Sequence, residues 1–226
     1  MAQITDLYIY PVKSLKGIAL KEAQTAQRGL EYDREWMITD QDYNFISQRE
    51  IELMTTIETD IDSDSLILTS NNQKTLKIPL DSSRSNQVRA VVWDDLCDAF
   101  DEGDEASRWL TEVLGTFRGS ELRLVRFDQK GERPVPKKYL HGVHAESAFS
   151  DQFPYLITSW ESLSRLNTGL SENDSFEVSM NRFRPNIVVK ELPNVEMMTS
   201  SNLVCEKSGY QFGLRKPCKR CKITTI

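Results

Sequence analysis

The sequence predicts a β-rich α+β fold, and three observations carry the prediction. Short runs rich in β-branched and aromatic residues recur along the chain with polar turn residues between them, the rhythm of a barrel or sandwich. Only two stretches show the three- and four-residue spacing of an amphipathic helix. No internal repeat, low-complexity tract or coiled-coil heptad is present.

Residues 4–10 read as a strand, stopped by Pro11, which has no N–H to give to a ladder. A loop over 12–17 leads to a second strand over 18–23, and residues 29–39 read as a turn entering a third. Turn residues at 40–44 precede a short extended run at 45–47. Further strands are expected near 53–58, 65–69, 75–79 and 88–93. Residues 104–114 read as a helix, because Ala106, Trp109, Leu110 and Val113 share a face and Gly115 stands as its C-cap. Residues 122–127 alternate as a half-buried strand, and 128–136, rich in charge, Gly and Pro, mark the softest boundary. That boundary divides the chain into 1–125 and 126–226. Residues 137–151 form a loop holding both histidines. Thr158-Ser159-Trp160-Glu161 fits a capping box opening a helix through Leu163, Leu166 and Leu170. Residues 183–189 turn into a strand, and 210–215 form another.

Composition limits the function classes. A 226-residue chain with 39% hydrophobic residues can bury a sizeable core. Its net charge of -6 opposes nonspecific nucleic-acid binding, so an anionic ligand must meet a local basic cluster. No apolar run is long enough to span a membrane, and the N-terminus lacks the basic-then-apolar layout of a signal peptide. Cys97 and Cys205 are isolated and the other two cysteines share a CxxC, which points to free thiols in a reducing cytoplasm.

The chemistry concentrates at the end of the chain, where Cys218 and Cys221 lie among Arg215, Lys216, Lys219, Arg220 and Lys222. Neighbouring positive charge favours the thiolate, the reactive and metal-binding form. A structural zinc site wants a second ligand pair; His141 and His144 lie far upstream, so zinc closure would depend wholly on the fold. A thioredoxin-like pair wants a helix after the CxxC, whereas Ile223-Thr224-Thr225-Ile226 disfavours one. What remains is a single thiolate in a basic pocket. Lys13, Ser14, Arg34, Arg184 and Arg220 offer cations and a hydroxyl suited to phosphate oxygens. A salt bridge of Arg34 with Asp33 and an exposed loop for Arg184 are the competing readings.

Four blocks then match one family in order: YPVKSLKG (10–17), DREW (33–36), RFRPNIVV (182–189) and KPCKRCKITT (216–225). Together they resemble the MOSC-domain proteins with an N-terminal MOSC β-barrel domain, among them the mitochondrial amidoxime-reducing component and bacterial relatives that reduce N-hydroxylated bases. The resemblance implies an N-terminal MOSC β-barrel domain over 1–125 and a MOSC domain over 126–226. It implies a molybdenum cofactor of pyranopterin type, with Cys221 as the metal ligand and Cys218 not. Lys13, Ser14, Arg34 and Arg184 match positions holding the cofactor's phosphate and pterin, and Asn186, Lys219 and Arg220 lie in the same motifs. The implied reaction is reduction of small N–OH compounds, with electrons from a partner reductase or ferredoxin-like domain, in a bacterial cytoplasm. No nucleic-acid or membrane partner is expected. The competing class is a sulfur- or cofactor-carrier module without turnover.

Two departures from the family carry expectations. Relatives continue past Ile226 with further strands, so a C-terminally incomplete MOSC barrel that binds cofactor weakly or not at all is expected. Gln152-Phe153 stand where amidoxime-reducing relatives carry small hydroxylated residues.

Overall fold

The computed structural model describes residues 2–81, 84–192 and 202–225. Among these, the strands fall into five sheets, with two α-helices. The β-rich α+β class therefore holds.

The first sheet joins the two ends of the sequence. Strand β1 (Gln3–Ile9) pairs antiparallel with β2 (Ile18–Leu20) on one side and with β13 (Ile187–Lys190) on the other. β12 (Ile157–Ser159) lies parallel to β13. Parallel neighbours need a crossover, and α2 (Trp160–Ser171) supplies it. β1 starts the first predicted domain but is hydrogen-bonded into the second, so sequence-distant motifs meet along this sheet.

The second sheet has the order β5-β11-β10-β9, from β5 (Trp36–Thr39), β11 (Arg123–Phe127), β10 (Asp95–Asp101) and β9 (Gln87–Val92). All four residues of β5 are buried, because both faces of the strand are covered. Trp36 and Ile38 pack with α1 (Asp104–Leu114), while Met37 packs with Phe127 and Phe149 on the other side. β6 (Glu58–Ile61), β7 (Ser65–Thr69) and β8 (Thr75–Pro79) form a meander. Alternation puts Leu66, Leu68, Leu76 and Ile78 into the same core as Trp36. Two ribbons complete the ladders: β3 (Thr25–Ala26) with β4 (Gly29–Leu30), and β14 (Asn202–Val204) with β15 (Gln211–Gly213).

Several expectations change. Around 53–58 the chain forms a 3-10 turn, Glu52–Thr56, before β6, because one buried side chain, Met54, anchors it and no alternating face exists. Residues 45–47 make isolated bridges only, through Phe45 and its neighbour Asn44. β10 was not expected, because its inward face carries Asp101, whose carboxylate is met by Arg123 at 2.7 Å, Tyr43 and the Gly103 N–H. α2 starts one residue later than the capping box implied. Ser159 is its N-cap and accepts from the Ser162 N–H at 3.2 Å, while Glu161 accepts from the Glu191 N–H instead. The residues after Cys221 make a single 3-10 turn, Lys222–Thr225.

Candidate functional site

Where β1 stops, Pro11 turns the chain beneath β5. The Lys13 N–H donates to the Trp36 carbonyl at 2.8 Å and the Trp36 N–H to the Pro11 carbonyl at 3.0 Å, which joins the first two sequence blocks through backbone. Ser14 (φ 70°), Arg34 (φ 52°) and Arg184 (φ 53°) all sit in the left-handed region. That conformation costs a non-glycine residue on the order of 1–3 kcal/mol and clusters at binding sites. Here it is held by specific bonds.

Tyr10 is the centre of that grip. Its ring is buried between the guanidiniums of Arg34, 4.5 Å from the centroid, and Arg184, 4.2 Å away. Its edge lies against Gly17, where a Cβ would come within 2.5 Å of the ring. That contact accounts for a glycine at the end of YPVKSLKG. Asp33 accepts from the Tyr10 N–H at 2.8 Å and from Arg34 at 2.6 Å. Asn186 accepts from Arg34 at 3.1 Å and from the Leu156 N–H at 3.1 Å, and it donates to the Tyr8 carbonyl. Arg34 also donates to the Arg184 carbonyl, and Arg184 to the Leu15 carbonyl at 2.7 Å. The Asp33–Arg34 pair is buried, not a surface bridge: its side chains are 2% and 13% exposed.

Burial, and then the charge of Arg34, press Arg184 down to about 10, so it stays cationic at neutral pH while carrying like-charge strain. Burial raises the Tyr10 phenol to about 12 against the pull of both guanidiniums, and its hydroxyl has no hydrogen-bond partner among the described residues. Lys13 is buried too. Its ammonium donates to the Phe149 carbonyl at 2.8 Å and to Asp151 at 2.6 Å, above the rings of Phe45 and Trp93. Burial lowers Lys13 to about 8, with Asp151 opposing the shift. Desolvation pushes Asp151 up, but Lys13, the Trp93 indole N–H and Arg34 together hold it at about 2. Three cations, Lys13, Arg34 and Arg184, thus face two carboxylates, Asp33 and Asp151. This surplus of buried positive charge suits an anion.

The fourth block reaches this cluster at its edge. Arg220 donates to the Phe183 carbonyl at 2.6 Å, and Lys216 to Gln152 at 3.0 Å while lying over the Tyr139 ring. Gln152-Phe153 therefore act locally as a tether, since Phe153 also packs edge-on against Tyr139. Cys218, Cys221 and Lys219 are exposed. Arg220 lies 3.0 Å from the Cys218 sulfur. No side-chain hydrogen bond among the described residues joins Cys221 to Lys13, Arg34 or Arg184. His144 pairs with buried Glu146 at 2.7 Å, and His141 sits in a turn. No set of three or more His, Cys, Asp and Glu side chains able to hold a metal occurs among the described residues. A lone soft thiolate fits a metal whose other ligands come from an organic cofactor.

Sequence reasoning missed Tyr10, Asp33, Asp151 and Trp93. Tyr10 and Asp33 stood inside matched blocks and were passed over as a strand end and an ion-pair partner. Two described cavities lie elsewhere. One of about 280 Å³ touches the cluster only through Asp33, beside Arg28 and Glu35. Another lies along α2.

Family comparison identifies the scaffold. The MOSC N-terminal beta barrel domain matches residues 1–117, and the MOSC domain matches residues 144–226. The chain belongs to the MOSC family. This MOSC protein is 29% identical over 230 residues to "Mitochondrial amidoxime-reducing component 1" of Homo sapiens, covering 99% of the chain and 66% of that protein. It is 30% identical over 240 residues to "Mitochondrial amidoxime reducing component 2" of Rattus norvegicus, with the same coverage. It is also 29% identical over 244 residues to "Molybdenum cofactor sulfurase" of Drosophila pseudoobscura pseudoobscura, covering 99% of the chain and 29% of that protein. The chain thus spans 66% of the length of the amidoxime-reducing relatives. No helix among the described residues is long and apolar enough to cross a membrane.

Proposed function

We propose that this MOSC protein binds a molybdenum-pyranopterin cofactor and reduces N-hydroxylated compounds. The single observation that supports it best is the convergence of three sequence-distant blocks into a buried cluster with surplus positive charge, in a chain of net charge -6. Such a cluster suits an anionic ligand, and the name of the sulfurase relative supports a molybdenum cofactor as that ligand. The two-domain division at residue 125 and a bacterial cytoplasmic location go with this reading.

Roles follow from what each residue has left to offer. Arg34 is committed to Asp33, Asn186 and the Arg184 carbonyl, so it shapes the pocket and adds charge. Arg184 donates one bond, to Leu15, and its remaining N–H groups are the donors for phosphate or pterin oxygens. Lys13 contributes field from its place on Asp151, and Ser14 its hydroxyl. Asn186 fixes the Arg34 geometry. Lys219 and Arg220 add positive charge beside Cys221, which would be the metal's thiolate ligand. When bound, the cofactor supplies two-electron removal of oxygen: R–NH–OH + 2e⁻ + 2H⁺ gives R–NH₂ + H₂O. The electrons come from a partner reductase or ferredoxin-like domain.

Molybdenum per chain, measured by elemental analysis on protein from a cofactor-producing host, tests the reading. Close to one equivalent in the wild type, lost in Cys221→Ser with the fold intact, bears out the reading and overturns the expectation of weak or absent cofactor binding. Absence of molybdenum from the wild type overturns it. The sulfurase relative favours a second reading, a carrier that holds the cofactor without turnover. Reduction of an amidoxime with an artificial electron donor separates the two.

A further inference from the structure

One cation beside the cluster has nothing to hold. Arg49 follows Gln48, whose side-chain amide donates to the Ser14 carbonyl at 2.7 Å and so fixes this segment against the Lys13-Ser14 turn. The Arg49 guanidinium lies over the Trp93 ring, 4.8 Å from its centroid. Among the described residues its side chain makes no hydrogen bond and no ion pair, and its Nε–H is shielded from solvent without a partner. Six other cations differ: Lys13, Arg34, Arg84, Arg123, Arg126 and Arg133 each meet a carboxylate. In a chain with 34 acidic and 28 basic residues, an unpaired arginine beside a buried lysine stands out.

Its platform is also held. Trp93 sits at the tip of the β9–β10 hairpin with φ 56°, strained for an aromatic residue. Phe45 meets its ring edge-on at 5.4 Å, its indole N–H donates to Asp151 at 3.2 Å, and the Lys13 ammonium lies 5.7 Å from the same ring. Stacking on an indole fixes the plane of a guanidinium and leaves its N–H edge for an acceptor. Asp151, the carboxylate bonded to the same indole, is occupied by Lys13 and Trp93 on one oxygen.

We propose that Arg49, seated on Trp93, binds a phosphate monoester of the ligand taken by this site. The proposal rests on the functional reading above and extends it to a residue outside the four motif blocks. The phosphate has two possible sources, the cofactor or a phosphorylated N-hydroxylated substrate.

The test uses the full chain without cofactor, with inorganic phosphate as probe, read by thermal shift and by tryptophan fluorescence. Wild type is expected to bind phosphate, with Kd raised about tenfold or more in Arg49→Gln, a 1.4 kcal/mol change. Partial recovery is expected in Arg49→Lys, and no change in Arg108→Gln, an exposed arginine on α1. Trp93→Phe should lose most of the fluorescence response. Equal phosphate binding by Arg49→Gln and wild type, with both variants folded by circular dichroism, overturns the proposal, as does no binding by wild type. Molybdenum content is a separate readout, so failure of the cofactor reading is seen independently. If the source is the cofactor, Arg49→Gln loses molybdenum as Cys221→Ser does. If it is the substrate, Arg49→Gln keeps molybdenum and raises KM for a phosphorylated N-hydroxylated nucleoside over the unphosphorylated one.

Discussion

The Tyr10 cluster and the cysteine segment over 214–225 are both parts of one candidate site, yet the chain holds them by opposite means. Around Tyr10, two guanidiniums, a buried carboxylate, a buried amide and backbone carbonyls interlock. The cysteine segment is attached through long, exposed side chains, Lys216 to Gln152 and Arg220 to Phe183. Losing one partner of a buried pair is strongly destabilising, whereas exposed bonds are weak and screened. The charge cluster is therefore set by folding. The place of Cys221 is held loosely.

Removing Asp33 should break this contrast most severely. Asp33→Ala strips the acceptor from both the Tyr10 N–H and Arg34 and leaves a buried guanidinium short of charge. A loss of about 3–5 kcal/mol is expected in urea unfolding. A loss below about 1 kcal/mol would show that Asn186 and the carbonyls suffice.

A smaller effect should follow pH. Lys13 titrates near 8 when folded against 10.5 in its ordinary state, so the unfolded chain binds more protons between these values. Its contribution to stability therefore rises with pH from about 8 to 10.5. Lys13→Met should flatten that limb in urea melts across the range. Asp151 has the same sign at the acid end: folded at about 2 against 3.8, it adds stability above 3.8 that disappears as pH falls through 2. Asp151→Asn should shallow the acid limb, and an unchanged profile would detach Asp151 from Lys13.

Tyr10→Phe sharpens the comparison further. It keeps the ring between the two arginines and deletes a hydroxyl with no partner. Stability should hold or rise, because an unsatisfied buried polar group costs about 1–3 kcal/mol. A Tm drop would reveal that the hydroxyl is bonded. At the small end, Arg220→Gln should change global stability by less than about 1 kcal/mol, while amide exchange over 214–225 accelerates. Unchanged exchange there would mean that other contacts hold the segment.

Much of the fold was legible because alternation survives in sequence. In β8 the apolar Leu76 and Ile78 alternate with Thr75 and Lys77, and α1 shows its face through Ala106, Trp109 and Leu110. β10 was illegible for the same reason in reverse: its buried face carries Asp101, whose burial rests on partners that include Arg123, more than twenty residues later, and Tyr43, far earlier. β12 and β14 are three residues long, too short for any period.

The site divided along a similar line. Sequence by itself determined the family, through four blocks whose order and residues match it, along with the strand-rich class, the free thiols and the identity of the cations. Tertiary structure alone decided which of those cations are free. Arg34 and Lys13 are satisfied by partners separated from them by up to 152 residues, while Arg184 and Arg49 keep donors to offer. The physical reason is that a residue's charge is a local property of the chain, but its pairing and desolvation depend on which distant segments fold against it.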